Sequence, residues 1–328
     1  MDSFKALRIR QQDNQVRAAF ETMRLDELTA GEVVIKVSWS CINYKDALAA
    51  TGSAKILRHF PLNAGIDLAG SVHSSTDPRF KLGDSVLVVG GGISETLDGG
   101  YAEYARVPAA CVVPIPQGLS EREAMAIGTA GFTAALAVIR LERMGQTPAH
   151  GPMLVTGATG GVGSFAVDLL ASRGYEVVAY TGKTEHYDYL TRLGASRLVD
   201  RTSLVMGKRP LETAIWGGAV DNVGGETLAW LTRTIKPFGN IASIGLTGGF
   251  DLSTTVMPFI LRGVSLIGIN IEAPHEMRDE AWQRLGTDLK PQHLDHIIQR
   301  EISFDQLLEA FPAYLQNKIV GRTVVKIA

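Results

Sequence analysis

The sequence is poor in the residues that announce a disulfide framework or a metal cage. Cys41 and Cys111 are the only cysteines among 328 residues. Two cysteines exclude a disulfide-stapled scaffold and fit a reducing compartment. Charge of one sign is also missing. The formal net charge is −2, so nothing points to nucleic acid or an anionic membrane as partner. No run approaches the roughly 20 apolar residues of a membrane span. The N-terminal stretch MDSFKALRIRQQ carries no apolar core of signal-peptide length. A soluble, cytoplasmic protein is expected. In surplus is glycine, with 35 residues, many of them clustered, so loops carry specific jobs. A hydrophobic fraction of 45% supports real cores, and the length suits two domains.

The first third reads as β-rich. KALRIR and EVVIKVSWS alternate or run apolar between turn signals, and GIDLAGSVHSS and GDSVLVVGGG are short glycine-bounded strands. Such punctuation suggests a barrel-like or sandwich domain, with an irregular α+β domain as the alternative. Near residue 120 the character changes. Ser120 and Glu123 form a capping-box pattern ahead of a helical run. Strands and helices then alternate, from PMLVTG and GVGSFAVDLLASRG through to VSLIGIN, and the strand runs are short and almost wholly apolar. That pattern argues for a buried, doubly wound parallel sheet. The expected division is a β-rich domain from 1–124 with 296–328, and a dinucleotide-binding domain over 125–295. The last segment, a helix followed by a strand, is expected to return to the first domain.

Within MLVTGATGGVGSFAVDLL, Gly157, Gly160 and Gly163, with Gly161 beside them, end a strand and open a helix. Glycines there let the backbone approach a pyrophosphate, which the helix N-terminus then binds. The cofactor choice rests on the end of the next strand. An NAD site usually places Asp or Glu there to hold the ribose hydroxyls. This chain reads Tyr180-Thr181-Gly182-Lys183 instead. Lys183 attracts a 2′-phosphate, Thr181 can donate a hydrogen bond to it, and Arg201, past the third strand, can reach the same region. NADPH is therefore favoured over NADH.

The stretch CINYKD, residues 41–46, packs several reactive residue types behind the strand VVIKVSWS. From the residues alone it is a metal site, a proton-handling site or a turn.

Taken together, NYKDALAATG, GIDLAGSV, GTAGFTA, VTGATGGVGS, TTVMPFILRGVSLIGI and GRTVVKI resemble the medium-chain dehydrogenase/reductase superfamily. Within it they are similar to the quinone-oxidoreductase-like YhdH/YhfP branch, which includes NADPH-dependent acryloyl-CoA reductases. The resemblance covers nearly the whole chain and implies a GroES-like β-rich domain beside a Rossmann domain. Zinc members keep a ligand cysteine about where Asn43 stands, and their Gly-His-Glu stretch matches Gly65-Ile66-Asp67. The ligand sets for catalytic and structural zinc are both missing at the expected places, so no metal is expected. Without a Lewis acid, hydride delivery to an activated double bond remains feasible, with an enolate protonated by a protein donor or water.

Tyr44 is the candidate donor; its other reading is a tyrosine that satisfies the loop. Asn43 orients the substrate or loop, Asp46 caps the following helix or pairs with Lys45, and Cys41 packs. The resemblance further implies cofactor contacts at Tyr44, Thr159, Gly160, Gly161, Val162, Leu246, Ile260 and Asn317, with ordinary core as the other reading of Leu246 and Ile260. Lys55, Arg58, His59, Arg262 and Arg322 are the cations available for CoA phosphates, with a solvated basic surface as their other reading. An uncovered edge at VSLIGIN leads to the expectation of a homodimer. The leading expectation for activity is NADPH-dependent reduction of a short 2-enoyl-CoA, acryloyl-CoA to propionyl-CoA. The alternatives are an NADPH:quinone or enone reductase, and an NADPH-binding sensor without turnover.

Overall fold

The structure is a computed structural model that describes residues 3–13 and 15–328. It divides into two compact units, one formed by 1–129 with 298–328, the other by 130–297.

The first unit opens with β1 (Phe4–Gln12) and β2 (Gln15–Met23), a hairpin in full antiparallel register. There follow β3 (Val33–Cys41), α1 (Tyr44–Thr51), β4 (Leu62–Asn63), β5 (Asp67–Ser75), β6 (Ser85–Val89), β7 (Tyr104–Val107) and β8 (Val113–Pro114). Helix α2 (Glu121–Arg143) comes next. Ser120 opens it with the expected reciprocal cap: Glu123 accepts from the Ser120 N–H at 2.8 Å, and the Ser120 hydroxyl accepts from the Glu123 N–H at 3.2 Å. Gly128 breaks the helix with φ 47° and ψ −156°, a region that is essentially glycine-only.

Helix α2 corrects one expectation. By length and composition it qualifies as a membrane span, with an 18-residue window of mean hydropathy 1.6, although 89% of that window is buried within the protein. Glycine and threonine interrupt the apolar residues of the run, which masked it in the sequence. Its burial is that of a core helix.

The second unit holds β9 (Met153–Thr156), α3 (Gly161–Ser172), β10 (Val177–Thr181), α4 (Tyr187–Arg192), β11 (Arg197–Asp200), β12 (Trp216–Asp221), α5 (Gly225–Thr234), β13 (Ile235–Ser243), α6 (Met257–Arg262), β14 (Ser265–Gly268), α7 (His275–Leu285) and α8 (Leu294–Ile297). The six strands form one parallel sheet in the order β11-β10-β9-β12-β13-β14. Burial follows that order. Every residue of β9, β10 and β12 is buried, whereas the outermost β11 and β14 are mostly half-buried. Central strands covered on both faces need continuous apolar runs, which is why their alternation is absent from the sequence.

The chain then re-enters the first unit as β15 (Ile298–Ser303), α9 (Leu307–Leu315) and β16 (Arg322–Lys326). β16 pairs antiparallel with β3 and parallel with β15. They belong to a seven-stranded sheet in the order β15-β16-β3-β5-β6-β8, with β7 also on β3. A large apolar cluster in this unit has Leu7, Ile9, Ile35, Val37, Ile42, Tyr101, Phe311 and Val325 fully or almost fully buried, and a smaller one gathers Phe4, Met23, Leu28 and Tyr104. Each such side chain contributes on the order of 1.5–3 kcal/mol by leaving water. The architecture is thus a β-rich unit and a doubly wound, parallel-sheet unit.

Candidate functional site

Residues 41–46 sit where β3 ends and α1 begins. Asn43 is the N-cap of α1, in extended backbone, and Asp46 is the third helical residue. Asp46 Oδ2 accepts from the Asn43 N–H at 2.8 Å, while Oδ1 accepts from the Ile66 N–H at 2.9 Å. Asp46 therefore completes the cap from inside the helix, and Lys45 pairs instead with Glu95. Tyr44 is the first helical residue and is 48% exposed, so its phenol stands open to solvent.

Beneath this turn lies a buried polar cluster drawn from four stretches of chain. Asp67, the first residue of β5, is fully buried. Its Oδ2 accepts from Asn43 Nδ2 at 2.9 Å, the Thr129 N–H at 2.8 Å and Cys41 Sγ at 3.0 Å. Its Oδ1 accepts from Thr129 Oγ1 at 2.6 Å. On the other side of Asn43, Arg322 Nη1 donates to Asn43 Oδ1 at 3.1 Å and to the Ile42 carbonyl at 3.2 Å; its Nε donates to the Ala126 carbonyl at 3.1 Å.

Arg322 is 3% exposed, which removes it from the solvated cations considered for CoA. Cys41 is not packing alone, because its thiol donates into the cluster. Burial, reinforced by Asp67, pushes that thiol well above its ordinary pKa, the opposite of an activated nucleophile. Burial and the neighbouring Asp67 likewise push the Asp46 carboxyl up to about 7. Gly128 completes the packing. A Cβ there would meet Cys41 Sγ at 2.7 Å, Asp67 Oδ2 at 2.8 Å and Arg322 Nη2 at 2.9 Å.

In the second unit, β9 turns into α3 through Gly157, Ala158, Thr159 and Gly160. Gly160 is the N-cap of α3, and Gly161 and Val162 are its first, half-buried residues. The twelve-residue helix presents its free N–H groups at this turn. Gly163 lies against the loop backbone so closely that a Cβ would come within 2.3 Å of the Gly157 carbonyl oxygen.

Two residues missed in the sequence brace the turn. Asp221, at the end of β12, is fully buried and accepts from Thr156 Oγ1 at 2.7 Å and the Gly224 N–H at 2.8 Å. Asn222 Nδ2 donates to the Thr156 carbonyl at 2.8 Å. The one signal that could have found Asp221 is an acid closing the otherwise apolar run WGGAV.

At the tip of β10 the expected side chains divide. Lys183 is half-buried and Arg201 exposed, and the Arg201 guanidinium lies over Gly182, where a Cβ would be 3.2 Å from its Nε. Partial burial pulls the Lys183 ammonium below its ordinary pKa, a cost that a bound anion relieves. Thr181 differs from expectation. It is buried, and its hydroxyl faces Thr159 Oγ1 at 3.3 Å and accepts the Lys183 N–H at 3.1 Å. It braces the loop rather than pointing outward.

Leu246 and Ile260 are 65% and 73% exposed, so ordinary core is not their role. Asn317 is exposed in left-handed backbone, φ 57°, between α9 and β16. Arg262 is committed to backbone carbonyls, those of Arg233 at 2.8 Å, Ile235 at 3.2 Å and Glu212 at 2.5 Å, and is not a solvated cation. Lys55, Arg58 and His59 are exposed.

Comparison with known proteins places this geometry in context. Residues 29–117 match the alcohol dehydrogenase GroES-like domain, and residues 161–287 match the zinc-binding dehydrogenase family. The chain is 48% identical to the putative quinone oxidoreductase YhfP of Bacillus subtilis, covering 99% of each chain. It is also 48% identical to the probable acrylyl-CoA reductase AcuI of Escherichia coli, over 98% of this chain and 99% of that one. Among solved structures, YhdH oxidoreductase of Salmonella enterica, in complex with NADP, has a TM-score of 0.95 at 47% identity, covering 99% of this chain and all of the other. YhfP of Bacillus subtilis with NAD bound has a TM-score of 0.97 at 47% identity, covering both chains fully.

The name of the second matched family raises zinc, and the residues do not fit that ion. Asn43 and Ile66 offer no thiolate or imidazole, the Asp67 carboxylate already accepts four donors, and a buried guanidinium occupies the same cluster. Among the described residues no group of three or more His, Cys, Asp and Glu side chains is disposed to hold a metal.

Proposed function

The chain belongs to the medium-chain dehydrogenase/reductase superfamily, in its quinone-oxidoreductase-like YhdH/YhfP branch, and on that premise we propose that it is an NADPH-dependent reductase of a short 2-enoyl-CoA thioester, acryloyl-CoA above all. The full-length likeness to the Escherichia coli acrylyl-CoA reductase carries this reading. NADPH supplies the hydride when bound.

The residues suited to hold it are Thr159, Gly160, Gly161 and Val162 at the start of α3, with Gly182, Lys183 and Arg201 at the ribose phosphate. Thr181 supports that loop from within. Leu246, Ile260, Asn317 and Tyr44 are assigned to the remaining cofactor contacts, and the exposure of all four is compatible with contact to a ligand. The glycine turn, the free N–H groups of α3 and a β10 end, Tyr180-Thr181-Gly182-Lys183, that carries no acid support the phosphate assignments.

Tyr44 is assigned to deliver a proton to the α carbon after reduction, or to order a water that does. Asn43, held from both sides, orients the turn that carries it. The assay follows NADPH oxidation with acryloyl-CoA, a longer 2-enoyl-CoA and a simple quinone in parallel. Turnover of quinone with none of acryloyl-CoA overturns the proposal in favour of quinone reduction, a reading favoured by the equal identity to YhfP. Tight NADPH binding with no turnover of any acceptor favours a sensor.

A homodimer formed through the outermost strand β14, and a cytoplasmic location, complete the proposal. β14 ends the parallel sheet, and exposed Val256 and Leu261 belong to α6 and its approach. Light scattering that finds a monomer at micromolar concentration refutes the dimer.

A further inference from the structure

Asp67 receives four hydrogen bonds on one carboxylate with no exposure to solvent. Two of its donors come from Thr129, the residue that follows the break in α2. A third is the side chain of Asn43, whose amide oxygen is held in turn by Arg322. With both ends fixed, the Asn43 amide cannot rotate, and its NH₂ also reaches Asp46 Oδ2 at 3.3 Å, so it steadies the turn that sets the backbone position of Tyr44. Asp46 fixes the same turn from the other side. None of this requires Asp67 to touch a ligand.

We propose that Asp67 is the positioning residue for chemistry at Tyr44, acting through the Asn43 amide that it holds against Arg322. This rests on the reading of residues 43–44 as the seat of proton delivery. A carboxylate suits the site because its charge strengthens the three bonds that converge on Oδ2, and Oδ1 takes the Thr129 hydroxyl without presenting a hydrogen of its own. An amide at position 67 either turns its NH₂ toward Asn43, the Thr129 N–H and Cys41 and releases them, or reverses the Thr129 hydroxyl and holds those three on a neutral oxygen, so in both arrangements the grip on Asn43 weakens.

The test compares wild type, Asp67→Asn, Asn43→Ala and the double variant. Steady-state turnover of acryloyl-CoA, NADPH affinity by fluorescence, and amide hydrogen exchange over residues 41–47 are measured for each. Asp67→Asn should lower kcat about 10- to 100-fold, the cost of a displacement near 1 Å, with NADPH Kd and acyl-CoA KM held within about twofold. The double variant should lose no more kcat than Asn43→Ala alone, because both break one linkage. Losses that multiply in the double variant, or an unchanged kcat in Asp67→Asn, overturn the proposal.

Should Asp67→Asn fail to fold, Asp67→Glu keeps two acceptor oxygens but moves them by one methylene. It should lower kcat at unchanged NADPH affinity, and a wild-type kcat counts against positioning. Hydrogen exchange separates this proposal from the assigned activity. If the wild type turns over no acyl-CoA, the assigned activity fails. Faster exchange over 43–47 in Asp67→Asn then still supports positioning, and unchanged exchange overturns it.

Discussion

Replacing Gly128 with alanine probes the buried cluster where it is most crowded. The native backbone, φ 47° and ψ −156°, costs an L-residue about 1–3 kcal/mol. The new methyl would also overlap Cys41 Sγ, Asp67 Oδ2 and Arg322 Nη2, all nearer than 3.0 Å. Overpacking of this kind costs about 1–3 kcal/mol. Displacing one donor from Asp67 adds about 1–3 kcal/mol for the group left unpaired. The last two costs share one overlap and do not add fully, so the expected loss is about 3–5 kcal/mol. That is a large share of the roughly 5–15 kcal/mol by which such proteins are stable. Gly83→Ala is the matched control, since Gly83 has φ 89° and nothing within 4 Å of the position a Cβ would take. It should lose only the backbone share, about 1–2 kcal/mol. Urea unfolding followed by circular dichroism at neutral pH reads both. If the two variants differ by less than about 1 kcal/mol, the cluster is not packed as described.

Lys183→Ala should weaken NADPH much more than NADH, by an amount that shrinks with salt, and equal losses in titrations of both cofactors refute the 2′-phosphate assignment. Tyr44→Phe should lower kcat about 10-fold or more if the phenol delivers the proton, whereas an unchanged kcat assigns that step to water. Asp46 is raised from 3.8 to about 7 in the folded state. Its contribution to stability is therefore full below pH 3.8 and lost as pH rises through 7; Asp46→Asn should abolish that decline in denaturation curves taken at pH 5 and pH 8.5. Under native conditions a thiol reagent should label Cys111, which is partly exposed, and spare buried Cys41; labelling of Cys41 at a comparable rate counts against the burial of the cluster.

The parallel sheet was legible because its physics is local. Runs such as MLVT and VVAYT are apolar on both faces, and each is followed by a glycine turn and a helix. The capping box at Ser120 was legible for the same reason, since its partners lie three residues apart. The glycine turn before α3 and the missing acid after β10 are likewise short-range signals.

The cluster under Tyr44 was not legible. Its hydrogen bonds span 24, 62 and 279 residues, and no spacing rule connects Asn43 to Arg322. Cys41 drew attention in the sequence because thiols bind metals, yet its role depends on Asp67, which was noted there only as the match to the last residue of the zinc members' Gly-His-Glu stretch. Thr181 was misjudged because strand polarity places it at the tip, while the side-chain direction, decided by packing on Thr159, turns it inward. Leu246 and Ile260 show the reverse. The resemblance made them cofactor contacts with core as their other reading, and only the fold, by exposing them to solvent, removes the second.

The pairing of β16 with β3 has a consequence for how the protein comes into being. Arg322, on the closing strand, completes a hydrogen-bonded cluster whose other members all lie within the first 129 residues. During synthesis those earlier residues leave the ribosome long before Arg322 does, and the whole parallel-sheet unit is made in between. Until then Asp67 and Asp46 lie close together without their cationic neighbour, and Asn43 is held from one side only. The two-sided hold on Asn43 is therefore absent from the nascent chain until Arg322 has been made. A ribosome-stalled chain ending at residue 321 should already contain the nucleotide-binding turn and still lack the finished site.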